Sequence, residues 1–153
     1  MSRTINEVIV HCTASDPRWA DEGTFLAECY TTADEFKDEL NSLHTNDGKS
    51  GIGYHAVIHR DGTVSNGRDL TEAADTASTY AGHGGGSNQT NCIAICLMGG
   101  KDGTDSSSIT DKFTSEQSTA LRSLIDNYKS TYSDITTVSG YKAGFDVAAW
   151  DAA

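Results

Sequence analysis

The sequence of 153 residues has no run of about 18 apolar residues, the length a helix needs to cross a bilayer, so no membrane-spanning helix is expected. It also lacks a charged leader followed by an apolar stretch. Met1-Ser2-Arg3-Thr4-Ile5 leads almost at once into a strand-like run, so no secretory signal is visible and a cytoplasmic location is the expectation. Basic residues are scarce: Lys and Arg number 11 against 22 Asp and Glu, for a formal net charge of −11. That balance argues against direct nucleic-acid binding, which needs clustered cations to meet phosphates. It suits a well-solvated surface or a basic protein partner. There is no CxxC pair among Cys12, Cys29, Cys92 and Cys96, and no dense disulfide framework. Cys92 and Cys96 lie four apart on a strand-like run, which puts them on one face but too far apart to bridge each other. Reduced, buried thiols are expected, as in a cytosolic protein.

What is present fits one domain spanning residues 1–153. Ile5 to His11 reads as a buried strand with a polar residue at its end. Thr13 to Gly23 reads as a loop. Thr32-Ala33-Asp34-Glu35 forms a capping box ahead of a helix with Phe36, Leu40 and Leu43 on one face. Tyr54 to His59 reads as a strand, Asp61-Gly62 as a hairpin turn, and Thr63 to Ser65 as the returning strand. Ala81 to Thr90 is a Gly-, Ser- and Asn-rich loop. Asn91 to Leu97 is apolar nearly throughout, the pattern of a strand buried on both faces. After a polar loop from Gly99 to Asp111, Thr114-Ser115-Glu116-Gln117 is a second capping box. Its helix is expected to run to about Tyr132 with Leu121, Leu124, Ile125 and Tyr128 inward. Phe145 to Trp150 reads as a short last helix. The fold class is α/β, a single domain with a mixed central sheet flanked by helices.

Several ordered motifs carry a resemblance. Val10-His11-Cys12-Thr13-Ala14-Ser15 resembles the opening of the N-acetylmuramoyl-L-alanine amidase family, the zinc amidase and peptidoglycan-recognition fold, and especially its short phage lysozymes. Gly51-Ile52-Gly53-Tyr54-His55-Ala56-Val57-Ile58 resembles the second signature. Arg60-Asp61-Gly62-Thr63-Val64 with Gly67-Arg68-Asp69 resembles the hairpin. Ala81-Gly82-His83, Asn88 and Ile93 to Gly100 resemble the central strand and the loop before it. Phe113-Thr114 with Gln117 and Leu121 resembles the start of the long helix. The resemblance runs from about residue 8 to residue 150.

The resemblance implies metal-assisted amide hydrolysis, with three protein ligands on zinc and one position left for water. It assigns His11 as the first zinc ligand. It assigns Tyr54 and Lys142 as assisting residues, the Lys142 cation being suited to a developing oxyanion. His83 and Asn88 are candidate substrate contacts lining the cleft.

The chain departs from the family pattern in two places. The family's other two ligands are a His shortly before the Lys and a Cys or Asp shortly after it. Here that segment reads Thr137-Val138-Ser139-Gly140-Tyr141-Lys142-Ala143-Gly144-Phe145-Asp146, without a His or a Cys. His83 is the last histidine and Cys96 the last cysteine. Asp146 matches a carboxylate of the family's Phe-Asp pair, which is not the usual third ligand, so only His11 matches a family ligand, and one His does not hold zinc at useful affinity. His55, following Tyr54 on a strand, is expected to face away from it. Separately, the segment around Trp19 to Tyr30, with Phe25, Leu26 and Cys29, is longer than in the compact phage enzymes.

The expectation is therefore a catalytically inactive or impaired homologue, with zinc absent or weakly bound. It would work by binding peptidoglycan fragments (muropeptides), or a partner protein such as phage RNA polymerase, which short phage lysozymes of this type also bind and inhibit. Its place would be the cytoplasm of the infected host, with release to the cell wall at lysis. The alternative is an active zinc amidase that cleaves the MurNAc–L-Ala amide bond with substitute ligands around His11 and Asp146.

Overall fold

The computed structural model describes residues 4–12, 37–38, 54–67, 70, 91–98, 113–140 and 147–152. The expected loops at 13–23, 81–90 and 99–111, the first capping box with Phe36, Leu40 and Leu43, and Phe145 lie outside these residues. Lys37 and Asp38 are helical, as that capping box implies.

Strand β1 is Glu7–Cys12, β2 Ala56–Ile58, β3 Val64–Asn66, β4 Cys92–Leu97 and β5 Thr137–Gly140. They form one sheet in the order β3-β2-β4-β1-β5. Strand β1 is parallel to both β4 and β5, and β2 is parallel to β4. Only β3 is antiparallel, paired with β2 through the hairpin. The sheet is thus mixed, as expected. All six residues of β4 are buried, because the strand is central and covered on both faces. Cys92 and Cys96 are buried and outside any disulfide.

Two strands differ from the sequence reading. Strand β2 pairs only over Ala56–Ile58, because the backbone bends at His55 and leaves the ladder at His59. Strand β5 was not expected. Thr137-Val138-Ser139-Gly140 has little apolar pattern of its own and becomes a strand by pairing with Glu7 to Val10 of β1.

Helix α1 is Ser115–Thr131 and α2 is Val147–Ala152. The start of α1 is the expected capping box: Thr114 Oγ1 accepts from Gln117 N, and Gln117 Oε1 accepts from Thr114 N, both at 3.0 Å. Leu121, Ile125 and Tyr128 recur at helical spacing and are buried against Val8, Val10, Ile93, Ile95 and Leu97, while Leu124 is partly buried beside them. Burial of each large aliphatic side chain stabilises the fold by about 1.5–3 kcal/mol. Burial also pushes the Tyr128 hydroxyl up to about 12, helped by nearby Tyr132, so it stays neutral. Helix α2 is held to α1 by Asp151, which receives Arg122 at 2.8 Å and Lys129 at 3.0 Å. The Arg122 guanidinium also lies 4.2 Å above the Trp150 ring.

The hairpin is a five-residue loop, His59 to Thr63, rather than a strand running on through Thr63. His59 N donates to Thr63 O and Gly62 N to His59 O, each at 2.9 Å. Asp61 Oδ1 accepts Thr63 N–H at 2.8 Å. Partial burial opposes ionisation of Asp61, but hydrogen bonds from Thr63 and the proximity of His59 outweigh it and hold the carboxyl below its usual range. A carboxyl lowered by folding adds stability above its unfolded pKa, and that stability is lost as pH falls through the folded value. With Asp61 60% exposed the effect is small. Asp61→Asn, which keeps an acceptor for Thr63, should be slightly less stable than the parent at neutral pH. Urea titrations across pH should show the difference begin to shrink near pH 4 and vanish once the pH lies below the lowered folded value. A gap that persists into acid would show that charge is not its source.

Candidate functional site

Strands β1, β2, β4 and β5 run the same way, so their C-terminal ends share one edge of the sheet, the usual place for ligands in α/β folds. His11 lies next to the last residue of β1, beside Cys96 of β4. It is buried, 4% exposed. Its ring centroid is 5.1 Å from that of Tyr54, with the planes tilted by 59°. Rings at this distance and tilt attract each other. Tyr54 also packs on Ile9, Cys92 and Ala94, the sheet face opposite α1. The structure therefore brings together two residues 43 positions apart (54 minus 11) that the sequence reading assigned to one site. Gly140, the last described residue before Lys142, pairs with Val10, the neighbour of His11.

The remaining described histidines serve the sheet and the hairpin. His55 is 1% exposed, and its Nδ1 accepts the Ala94 N–H at 3.0 Å. That acceptor role needs a lone pair on Nδ1, so the imidazole is neutral with its proton on Nε2. His59 is 3% exposed and lies 3.4 Å from Asp61 through Nδ1. Among the described residues no three His, Cys, Asp or Glu side chains gather where a metal could sit.

A profile described as N-acetylmuramoyl-L-alanine amidase matches residues 1–144. The chain belongs to the N-acetylmuramoyl-L-alanine amidase family. It is 32% identical over 122 residues to the endolysin of Enterobacteria phage T3, a match covering 80% of this chain and 65% of that protein. It is 28% identical over 151 residues to the endolysin of Klebsiella phage KP32, covering 95% of this chain and 84% of that protein. Among solved structures, Drosophila peptidoglycan recognition protein SD superposes with a TM-score of 0.64 at 16% identity, over 92% of this chain and 71% of that one. That last likeness shows a shared fold.

In an amidase frame, zinc is the implied metal, and the donors present can be tested against it. His11 stands at the expected strand end. His55 spends Nδ1 on a backbone donor of β4, and His59 lies in the hairpin loop with Asp61. The described donors do not add up to the three protein ligands of a catalytic zinc site. Lys142, His83, Asn88 and Asp146 lie outside the described residues.

Two features escaped the sequence reading. The ring of His55 does not simply face away from Tyr54 as strand alternation suggests; it enters the hydrogen-bonding plane of the sheet. Gln117, expected as a cap, is also fully buried, and its Nε2 donates to Met98 O at 2.9 Å and Ile58 O at 3.3 Å. A polar side chain inside two helical turns of apolar spacing was the available signal for the second. No local signal existed for the first.

Proposed function

We propose that this chain is a one-domain, endolysin-like member of the amidase family that works by binding peptidoglycan fragments, its metal site having lost two of the family's three ligands. The observation that carries this reading is the donor inventory: no His follows His83 and no Cys follows Cys96, yet His11 keeps its place against Tyr54. A glycopeptide ligand needs aromatic surface and polar groups in a groove. Tyr54 offers the first at the sheet edge, and Lys142, His83 and Asn88 are proposed to supply the second. Zinc, if bound, would be held by His11 and would polarise an amide carbonyl and activate water. With one family ligand, hydrolysis is impaired or lost. The protein is proposed to remain in the host cytoplasm until lysis opens a way to the wall.

Elemental analysis of protein equilibrated with zinc and desalted should find no stoichiometric metal. Purified cell wall should remain uncut, while muropeptides bind in calorimetric titration. Stoichiometric zinc with chelator-sensitive cleavage would instead establish an active amidase with substitute ligands.

The net charge of −11 favours a second reading, a basic protein partner such as phage RNA polymerase. Pull-down from infected cells should then recover polymerase in a salt-sensitive manner, and its absence would reject that partner.

A further inference from the structure

We infer that His55 is a positioning residue for Tyr54: its imidazole replaces a main-chain acceptor in the sheet, and the resulting bend turns Tyr54 toward His11. This rests on reading the His11–Tyr54 pair as part of the ligand cleft.

The register of β2 on β4 makes the argument. Ala56 pairs with Ile95, Val57 with Cys96 and Ile58 with Leu97. Continued straight, Tyr54 would fall beside Ile93, whose side chain belongs to the core under α1. Side chains alternate along a strand and agree across a pair, so a straight β2 would aim Tyr54 into that core. Tyr54 instead lies on the opposite face, against Ile9, Cys92, Ala94 and the His11 ring. The alternation is broken at His55, where the backbone bends.

Such a bend disturbs the ladder, and the hydrogen bonds show how it is repaired. Met98 N donates to Ile58 O at 3.0 Å. Stepping back twice by two residues on each strand sets Ala94 N–H opposite the Tyr54 carbonyl. That donor instead goes to His55 Nδ1 at 3.0 Å, while His55 N donates to Ala94 O at 2.8 Å. One residue thus takes both main-chain groups of Ala94. Without the imidazole, Ala94 N–H would be a buried donor lacking its partner, and the straight ladder would become the cheaper arrangement. The neutral ring, 1% exposed, is an acceptor the interior tolerates, where a carboxylate would not be.

Nuclear magnetic resonance on protein uniformly labelled with nitrogen-15 and carbon-13 tests this without any ligand. The parent should show a coupling across the hydrogen bond between the Ala94 amide nitrogen and His55 Nδ1, and a cross-relaxation peak between the Tyr54 and His11 rings. His55→Asn places a carbonyl acceptor near Nδ1 and should retain the ring–ring peak. His55→Leu removes the acceptor and should lose it. A parent without the coupling, or a folded His55→Leu with an undiminished peak, overturns the inference. If His55→Leu does not fold, the parent coupling and the Asn variant decide. Muropeptide titrations keep the two readings apart. Binding about ten-fold weaker in His55→Leu and restored in His55→Asn supports the positioning role, and equal binding in both counts against it. A parent that binds no muropeptide sinks the peptidoglycan reading, and the ring–ring peak still decides the role of His55.

Discussion

Gln117→Leu is expected to destabilise the fold by about 3 kcal/mol, lowering the melting temperature by roughly 10 °C. The side chain is fully buried where α1, β2 and β4 meet. Its amide nitrogen donates to Met98 O and Ile58 O, and its oxygen accepts from Thr114 N and from Arg60 Nη1 at 3.2 Å. Leucine has similar volume, so little cavity forms and the loss is polar. Met98 O and Thr114 N–H each lose a partner, and leaving a buried group unsatisfied costs about 1–3 kcal/mol. Ile58 O keeps the Met98 N–H, which limits the damage at that carbonyl. Gln117→Glu should be at least as harmful, because a carboxylate cannot donate to two carbonyls and sets a charge against them. Thr114→Ala removes mainly the cap and should cost only about 1 kcal/mol. Urea unfolding of the three variants checks the order. A Gln117→Leu protein as stable as the parent would mean that the buried amide has no net role in joining helix to sheet.

Gly62→Ala is expected to cost about 2–4 kcal/mol in the same measurement, for two reasons that add. Gly62 has φ of +88°, where a residue with a Cβ pays about 1–2 kcal/mol. A Cβ there would also lie 2.8 Å from the Glu116 carbonyl oxygen and 3.1 Å from Glu116 Cβ. The obstacle is the first turn of α1, main chain held by its capping box, so it cannot swing aside as a flexible side chain can. The hairpin must lift away, straining the 2.6 Å hydrogen bond from Thr114 Oγ1 to Arg60 O. Faster amide exchange at Gly62 and Gln117 should accompany the loss. If Gly62→Ala matched the parent, the hairpin would not be seated on the helix. Because the hairpin follows directly on β2, movement there bears on the strand that carries Tyr54 and His55 at its other end.

The candidate site is only half legible from residue types. His11 could be read as a strand-end ligand because the apolar run before it marks a buried strand and the polar residue marks its end. Tyr54 could be assigned to the same site by motif, but not its direction: strand alternation points it into the core beneath α1. The direction depends on Ala94, 40 residues away, whose N–H takes the imidazole of His55.

The sequence by itself determined the elements whose causes are local. The unbroken apolar run of β4 marks a strand covered on both faces. The Thr114 to Gln117 spacing and the recurrence of Leu121, Ile125 and Tyr128 mark where α1 begins and which side it buries. The Asp61-Gly62 pair marks the turn, and the absence of His after His83 limits the metal chemistry. Only the tertiary structure decided that Thr137–Gly140 is a strand, that β2 ends short, that Gln117 ties a helix to two strands, and that Tyr54 faces His11. Capping boxes, periodicity and turn residues act between neighbours in the chain. A parallel ladder and a buried donor are completed by residues many positions away, and until those partners are in place nothing in the local sequence fixes where a side chain points.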